Sequence, residues 1–247
     1  MAGSLSVACP TRHQRASHPH RLGNNGRRTL DSEREKDVMI KYLLLIVMFG
    51  SAATVAHGQQ SSHFRVVADS HDAKYILDLL ERDRSELLQR VSNVGIDVRF
   101  PNLKVVFNAT TGDFVARTGM PSWTSAATRK DKIELQPLAI LRQRRILETT
   151  LRHELAHALI DALGNGQTPR WLAEGMAIYL AGEGRRFKQT NAMSAANIEQ
   201  ALAAAKSTAD MKTAYAAAYH LVQELIHREG ENKVWKRLAD RSYSVTS

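Results

Sequence analysis

The sequence predicts an α+β protein of two lobes, a small N-terminal α/β lobe over residues 62–137 and a mainly helical lobe over 138–247. Three observations predict it. Short alternating or β-branched runs at Phe64–Val67, Ile96–Phe100, Leu103–Asn108 and Lys132–Gln136 surround a single amphipathic helix. A long apolar helix follows over Ile146–Leu163, with a second close behind it. Beyond Leu180 the chain reads as helical, with an Ala-rich helix over Ala195–Lys206 and another over Thr213–Arg228, ended by Gly230.

Ahead of these lobes stand two segments of different character. Residues 1–38 carry clustered Arg, His, Ser and Gly with no apolar period and contain the only cysteine, Cys9, so they are expected to be disordered. Residues 39–58 have the layout of a signal peptide: Lys41, an apolar run from Tyr42 to Phe49, small residues from Gly50 to Ala53, and Ala56-His57-Gly58 before Gln59. The apolar stretch from Leu43 to Val55 is shorter than the roughly 20 residues of a comfortable membrane span. Cleavage is therefore expected, with translation starting at Met39, a mature domain over 59–247 and export to the periplasm or outside the cell. The alternative is an uncleaved anchor with the first 38 residues as a cytoplasmic extension.

The mature chain would hold no cysteine, which excludes disulfides and thiolate metal ligands. Its charge is also less extreme than the formal +9 of the whole, since seven basic and four acidic residues precede Met39. The basic clusters Arg142–Arg145 and Arg185–Lys188 lack interleaved aromatics and read as solvated faces, so no nucleic-acid partner is expected.

In chain order, Phe64–Val67 is a short strand, and a helix starts at Ser70 with Ile76, Leu79, Leu80, Leu87 and Val91 as its core stripe and Gly95 as its stop. Strands are expected at Ile96–Phe100 and Leu103–Asn108, bounded by Pro101 and a Thr/Gly-rich turn. From Gly112 to Lys132 the chain reads as loop, with Gly119, Pro121 and Trp123; Lys132–Gln136, ended by Pro137, is the last strand.

The chemistry lies in the helix that follows. His153-Glu154-Leu155-Ala156-His157 puts two imidazoles one turn apart on one helix face, with a carboxylate beside them, the arrangement that suits a divalent metal and a general base. Leu151, Leu155, Ala158, Leu159 and Ala162 form the stripe that buries this helix and holds the histidines still. Gly164 is expected as its left-handed cap, and Thr168 as the N-cap of a second helix, with Pro169 at its first position and Gly182 at its end. So short a reversal makes the helices antiparallel neighbours. Glu174 can then face the two histidines as a third ligand, leaving a fourth position for water. Glu183 is a second acidic candidate, disfavoured by its Gly-rich loop. Asp161, four residues after His157, either orients a ligand or offsets local charge.

These residues resemble the gluzincin metallopeptidases, most closely the bacterial peptidase-MA-like domains. Those carry His-Glu-Leu-x-His followed after a short loop by Pro-x-Trp-Leu-x-Glu-Gly-x-Ala, and both parts stand here at His153–His157 and Pro169–Ala177. His153–Asp161 is also similar to the thermolysin signature. The resemblance extends from about Phe64 to the C-terminus as a match of pattern. It implies a zincin-like two-lobed fold and one Zn²⁺ per chain on His153, His157 and Glu174. It also implies Glu154 as general base in hydrolysis of a peptide or protein substrate. By the same resemblance Lys132–Gln136 is the sheet edge that binds extended substrate, and Tyr215 is the donor to the oxyanion. Tyr219, one turn further on, is the other candidate for that role or a core aromatic. His220 and His227 read as surface or satisfied helix histidines.

Two departures qualify the match. Relatives usually continue past the position of Ser247 into another helix, and Ala173 replaces the asparagine of the alanyl-aminopeptidase type. No Gly-x-Met-x-Asn amine anchor precedes the metal helix, which favours an endopeptidase. The rival expectation is a catalytically inactive binding or scaffold protein of the cell envelope that keeps the fold.

Overall fold

The computed structural model describes residues 58–68, 70–188 and 191–243. The expected leader and, apart from Gly58, the expected signal segment lie outside the described residues. Strands fall before residue 136 and helices dominate beyond it, an α+β arrangement. Among the described residues no helix is long and apolar enough to cross a membrane.

Among the described residues five strands form one mixed sheet. They are β1 (Gly58–Gln60), β2 (Phe64–Val67), β3 (Leu103–Phe107), β4 (Ala126–Arg129) and β5 (Lys132–Leu135), in the order β1-β2-β3-β5-β4. β2, β3 and β5 run parallel, and β1 and β4 close the two sides antiparallel. The register aligns Val66, Val105, Ile133 and Thr128 in one row across the sheet. The first three are fully buried in the core. α1 (Ser70–Ser92) makes the crossover from β2 to β3, and its expected stripe, Ile76 to Val91, is buried throughout.

Three expectations for this half need correction. Ile96–Phe100 is not a strand: it has no ladder partner, and its alternation records one-sided burial of Ile96, Val98 and Phe100 against the core. The span from Gly112 to Lys132 is not all loop. It holds α2 (Thr111–Thr118), started by a capping box between Thr110 and Asp113 and stopped by Gly119 at φ 68°, and then β4. Lys132–Gln136 is not the sheet edge either, because β5 lies between β3 and β4; the free edge on that side is β4.

Beyond the short α3 (Leu138–Gln143) comes α4 (Leu147–Gly164), which packs on α1, β4, the next helix and the last one. Contacts on so many sides explain why its buried set is wider than one stripe, taking in Ala156, Ile160 and Leu163 as well as Leu151, Leu155, Ala158 and Leu159. Its left-handed cap is Asn165 at φ 50°, not Gly164. Gly164 is the last helical residue, and a Cβ there would stand 2.1 Å from Thr168 Oγ1.

α5 (Arg170–Ala181) starts without a cap from Thr168, whose buried hydroxyl has no partner. Instead the free amides of Arg170 and Trp171 donate to the Glu199 carboxylate at 3.2 and 2.9 Å. A carboxylate at a helix N-terminus satisfies orphan amides and the dipole together. Gly182, at φ 71°, ends α5 as expected.

Among the described residues three further α-helices follow, α6 (Ala195–Ala204), α7 (Thr208–Glu229) and α8 (Glu231–Ala239). α7 lies close against α5: a Cβ on Gly175 would meet Ala218 O at 2.5 Å and Val222 Cγ2 at 2.6 Å. Backbone, not a flexible tip, blocks that space. Small residues Ala214, Ala217 and Ala218 on α7 complete the close approach. It brings Tyr215 toward the α5 residue next to Gly175, which is Glu174.

Candidate metal centre

The α4 and α5 helices bring His153, His157 and Glu174 together, with one ligand atom from each within 4.8 Å of the others. The two Nε2 atoms are 3.1 Å apart. Glu174 Oε2 stands 3.3 Å from His157 Nε2 and 3.7 Å from His153 Nε2. These are ionic contacts rather than hydrogen bonds, since Glu174 Oε2 is buried with no hydrogen-bond partner. An orphaned carboxylate oxygen beside two converging imidazole nitrogens fits a cation. A tetrahedral ion with bonds of about 2.0–2.1 Å sets its ligand atoms about 3.3–3.4 Å apart, and the three observed separations bracket that value. The donor set, two nitrogens and one carboxylate oxygen, is the chemistry zinc takes in sites with an open position.

Each side chain is held from behind. His153 Nδ1 donates to Glu183 Oε2 at 3.0 Å, which turns Nε2 toward the cluster. Glu183 is fixed in turn by Arg186, whose Nη1 reaches Glu183 Oε1 at 3.1 Å and whose Nη2 reaches Thr149 Oγ1 on α4. The Gly-rich turn is thus ordered, as a 3-10 helix over Glu183–Arg186. Tyr219 packs under it: a Cβ on Gly184 would lie 2.1 Å from the Tyr219 ring. Arg152 pins the neighbouring face of α4, donating to Leu180 O at 2.8 Å and to Glu86 at 2.6 Å.

Glu154 is not one of the three converging residues. It is 8% exposed, and its Oε2 accepts a 2.6 Å hydrogen bond from Thr128 Oγ1 on the edge strand β4. Thr128 ends the row that begins at Val66, so the sheet register aims this hydroxyl at α4.

The electrostatics agree with a cation site. Burial would push His153 down, but the Glu174 and Glu183 carboxylates, with the field of Glu154, reverse this and raise it to about 10. For Glu174 burial opposes ionisation, and the charge on the histidines outweighs it, holding the carboxyl well below the usual range. Tyr215 is pushed up, first by burial and then by the fields of Glu174 and Glu154, so its hydroxyl stays protonated and able to donate. Asp161 lies at the surface, and among the described residues its carboxylate bonds neither histidine. Burial raises it somewhat and His157 draws it back.

Of the residues singled out in the sequence, His153, His157, Glu174, Glu154 and Tyr215 thus fall in one neighbourhood. Tyr219 packs against Gly184 and so supports the turn that carries Glu183. His220 and His227 line a separate cavity of about 470 Å³ with Glu224, and His220 Nε2 donates to Lys188 O. Thr128 and the orienting role of Glu183 were not legible in the sequence. Glu183 stood in the sequence only as an alternative ligand, and Thr128 carried no signal.

No family model matches this chain, and no curated protein matches it.

Replacing Glu183 by Gln keeps the volume and removes the charge on His153 Nδ1. Loss of such a partner costs about 10–100-fold in metal affinity. Competition titration with a chromophoric zinc chelator is expected to show a fall of that size, with the fold unchanged by circular dichroism.

Proposed function

We propose that this chain is a zinc-dependent peptide hydrolase of the gluzincin kind, with the sheet and the helices as the two lobes of a zincin-like fold and export as its destination. The observation that carries the reading is the division of labour between adjacent residues. His153, His157 and Glu174 converge, while Glu154, in the same turn, is left out and held by Thr128 on a free sheet edge. His153, His157 and Glu174 would hold the ion. Bound there, zinc supplies the Lewis acidity that lets water act as a nucleophile near neutral pH and polarises the scissile carbonyl.

The rest is work for the protein's own groups. An extended peptide adds to β4 by main-chain hydrogen bonds, which draws its scissile bond level with Thr128 and Glu154. Glu154 takes a proton from the attacking water on a carboxylate oxygen and passes it to the leaving nitrogen as the C–N bond breaks. The Tyr215 hydroxyl donates to the carbonyl oxygen as it gains charge. Tyr215→Phe is then expected to lower kcat by about 10²–10³-fold, the cost of removing one such donor. Tyr219→Phe, which keeps the packing under Gly184, is expected to leave kcat nearly unchanged. Stopped assays on the two variants side by side check the pair.

The reading as a whole is tested by casein cleavage with and without chelator. Cleavage that a chelator abolishes and added zinc restores supports it. Zinc uptake without cleavage of casein or of a mixed peptide library would favour the inactive binding protein instead.

A further inference from the structure

The outer face of the sheet carries an arrangement that the metal chemistry does not use. Register pairs Arg65 with Lys104, Lys104 with Lys132, and Lys132 with Arg129, so four basic side chains stand in one row across four neighbouring strands. Like charges directly opposite one another destabilise a sheet. Among the described residues, Lys132 alone in this row is paired with an acid, Glu134, while Arg129 Nη2 donates to the neutral Thr118 carbonyl. Among the described residues the Arg65 and Lys104 side chains have no ion-pair partner.

The row ends at the free edge. There Arg129, Lys130, Lys132 and Arg117 of α2 line a pocket of about 370 Å³, with Asp131 and Glu134 as the only acids. Arg117 and Lys130 are exposed, and neither side chain is paired among the described residues. Thr128, on the opposite face of β4, reaches Glu154.

Resting on the hydrolase reading above, we propose that this pocket is a specificity subsite for an acidic side chain of a peptide strand added to β4. The geometry supplies the register. A strand beside β4 lies about 4.8 Å away, and its side chains alternate between the two faces. The residue opposite Thr128 lies on the face of the sheet that meets Glu154, so its neighbour, opposite Arg129, faces the pocket. That neighbour becomes the fifth member of the basic row, with its Cβ about 4.5–5.5 Å from that of Arg129. A Glu or Asp there meets Arg129, Lys130 and Arg117 together, whereas a Lys extends a line of like charges. The substrates selected are peptides with an acidic residue within two positions of the bond cut.

The test uses the zinc-loaded full-length chain and three internally quenched peptides that differ only in Glu, Gln or Lys at that position, chosen after mapping cleavage of a mixed library by mass spectrometry. The ratio of kcat/KM for Glu over Lys is expected to exceed about tenfold at low salt and to shrink as ionic strength rises. Arg129→Glu is expected to invert the ratio. Lys104→Glu, three strand spacings from the peptide, is expected to shift it in the same direction by less; it serves as the second variant should the first not fold. Equal rates for the three peptides, or a ratio that both reversals leave unchanged, would overturn the proposal. If no peptide is cleaved, the hydrolase reading falls and anisotropy of the same peptides, dye-labelled, decides the subsite. Tighter binding of the Glu peptide, lost in Arg129→Glu, supports it. Equal binding, or reversals that alter only attachment to anionic vesicles, would overturn it.

Discussion

Glu154→Gln is expected to retain zinc at the wild-type stoichiometry and to lose hydrolysis by about 10²–10⁴-fold, the range that a positioned general base supplies. The amide has the size of the carboxylate and can still accept from Thr128 Oγ1, so the 2.6 Å contact between α4 and the edge strand survives. What it cannot do is take a proton from water. Because Glu154 lies outside the cluster of His153, His157 and Glu174, metal content and activity should separate in this one variant. Metal analysis beside a casein assay reads both. A Glu154→Gln protein that still cuts would remove the general-base assignment, and one that had lost its zinc would move Glu154 into the ligand set.

The second large effect belongs to Glu174→Ala. This substitution removes one of three ligand atoms and the charge that balances the ion. The loss of zinc affinity should exceed the 10–100-fold expected for Glu183→Gln, which leaves all three ligands in place. The fold should persist, since the side chain lies at the cluster, 14% exposed, and among the described residues its ion pairs are with the two histidines. Zinc per chain, measured after dialysis against buffer at fixed free zinc, checks it. An unchanged stoichiometry would transfer the third ligand to Glu183, and the double variant would then be the one to lose metal.

Much of this architecture could be read from the residues alone, for local reasons. α1 and α4 declare themselves by apolar period, and the two helices flanking the turn at Gly164–Pro169 follow from Gly, Thr and Pro chemistry, even though Asn165 and Glu199 do the capping expected of Gly164 and Thr168. Glu174 was legible because a reversal of a few residues leaves little freedom in how two helices meet. β4 was not. Ala126-Ala127-Thr128-Arg129 has no apolar alternation, and it is a strand only because β5 offers it a ladder across the Lys130-Asp131 turn. The run Ile96–Phe100 fails in the opposite sense, alternating without a partner. α2 did have a signal, Thr110 and Asp113 with Gly119, which the surrounding Thr and Gly masked.

The positioning of His153 shows a different limit. Glu183 sits between two glycines, which by themselves leave it unfixed. Its order comes from Arg186, which bridges it to Thr149, and from the Tyr219 ring beneath Gly184. The basic row is more remote still, since Arg65, Lys104, Lys132 and Arg129 come from four strands and meet only through sheet register.

A metal ion at the junction of α4 and α5 underlies every step proposed above, and the most direct test is the metal content of the purified, folded chain after equilibration with zinc. One zinc per chain, reduced in parallel by His153→Ala and Glu174→Ala, is the predicted result. A folded chain that takes up no divalent metal with zinc in excess would contradict the account and leave the convergence of His153, His157 and Glu174 without a function.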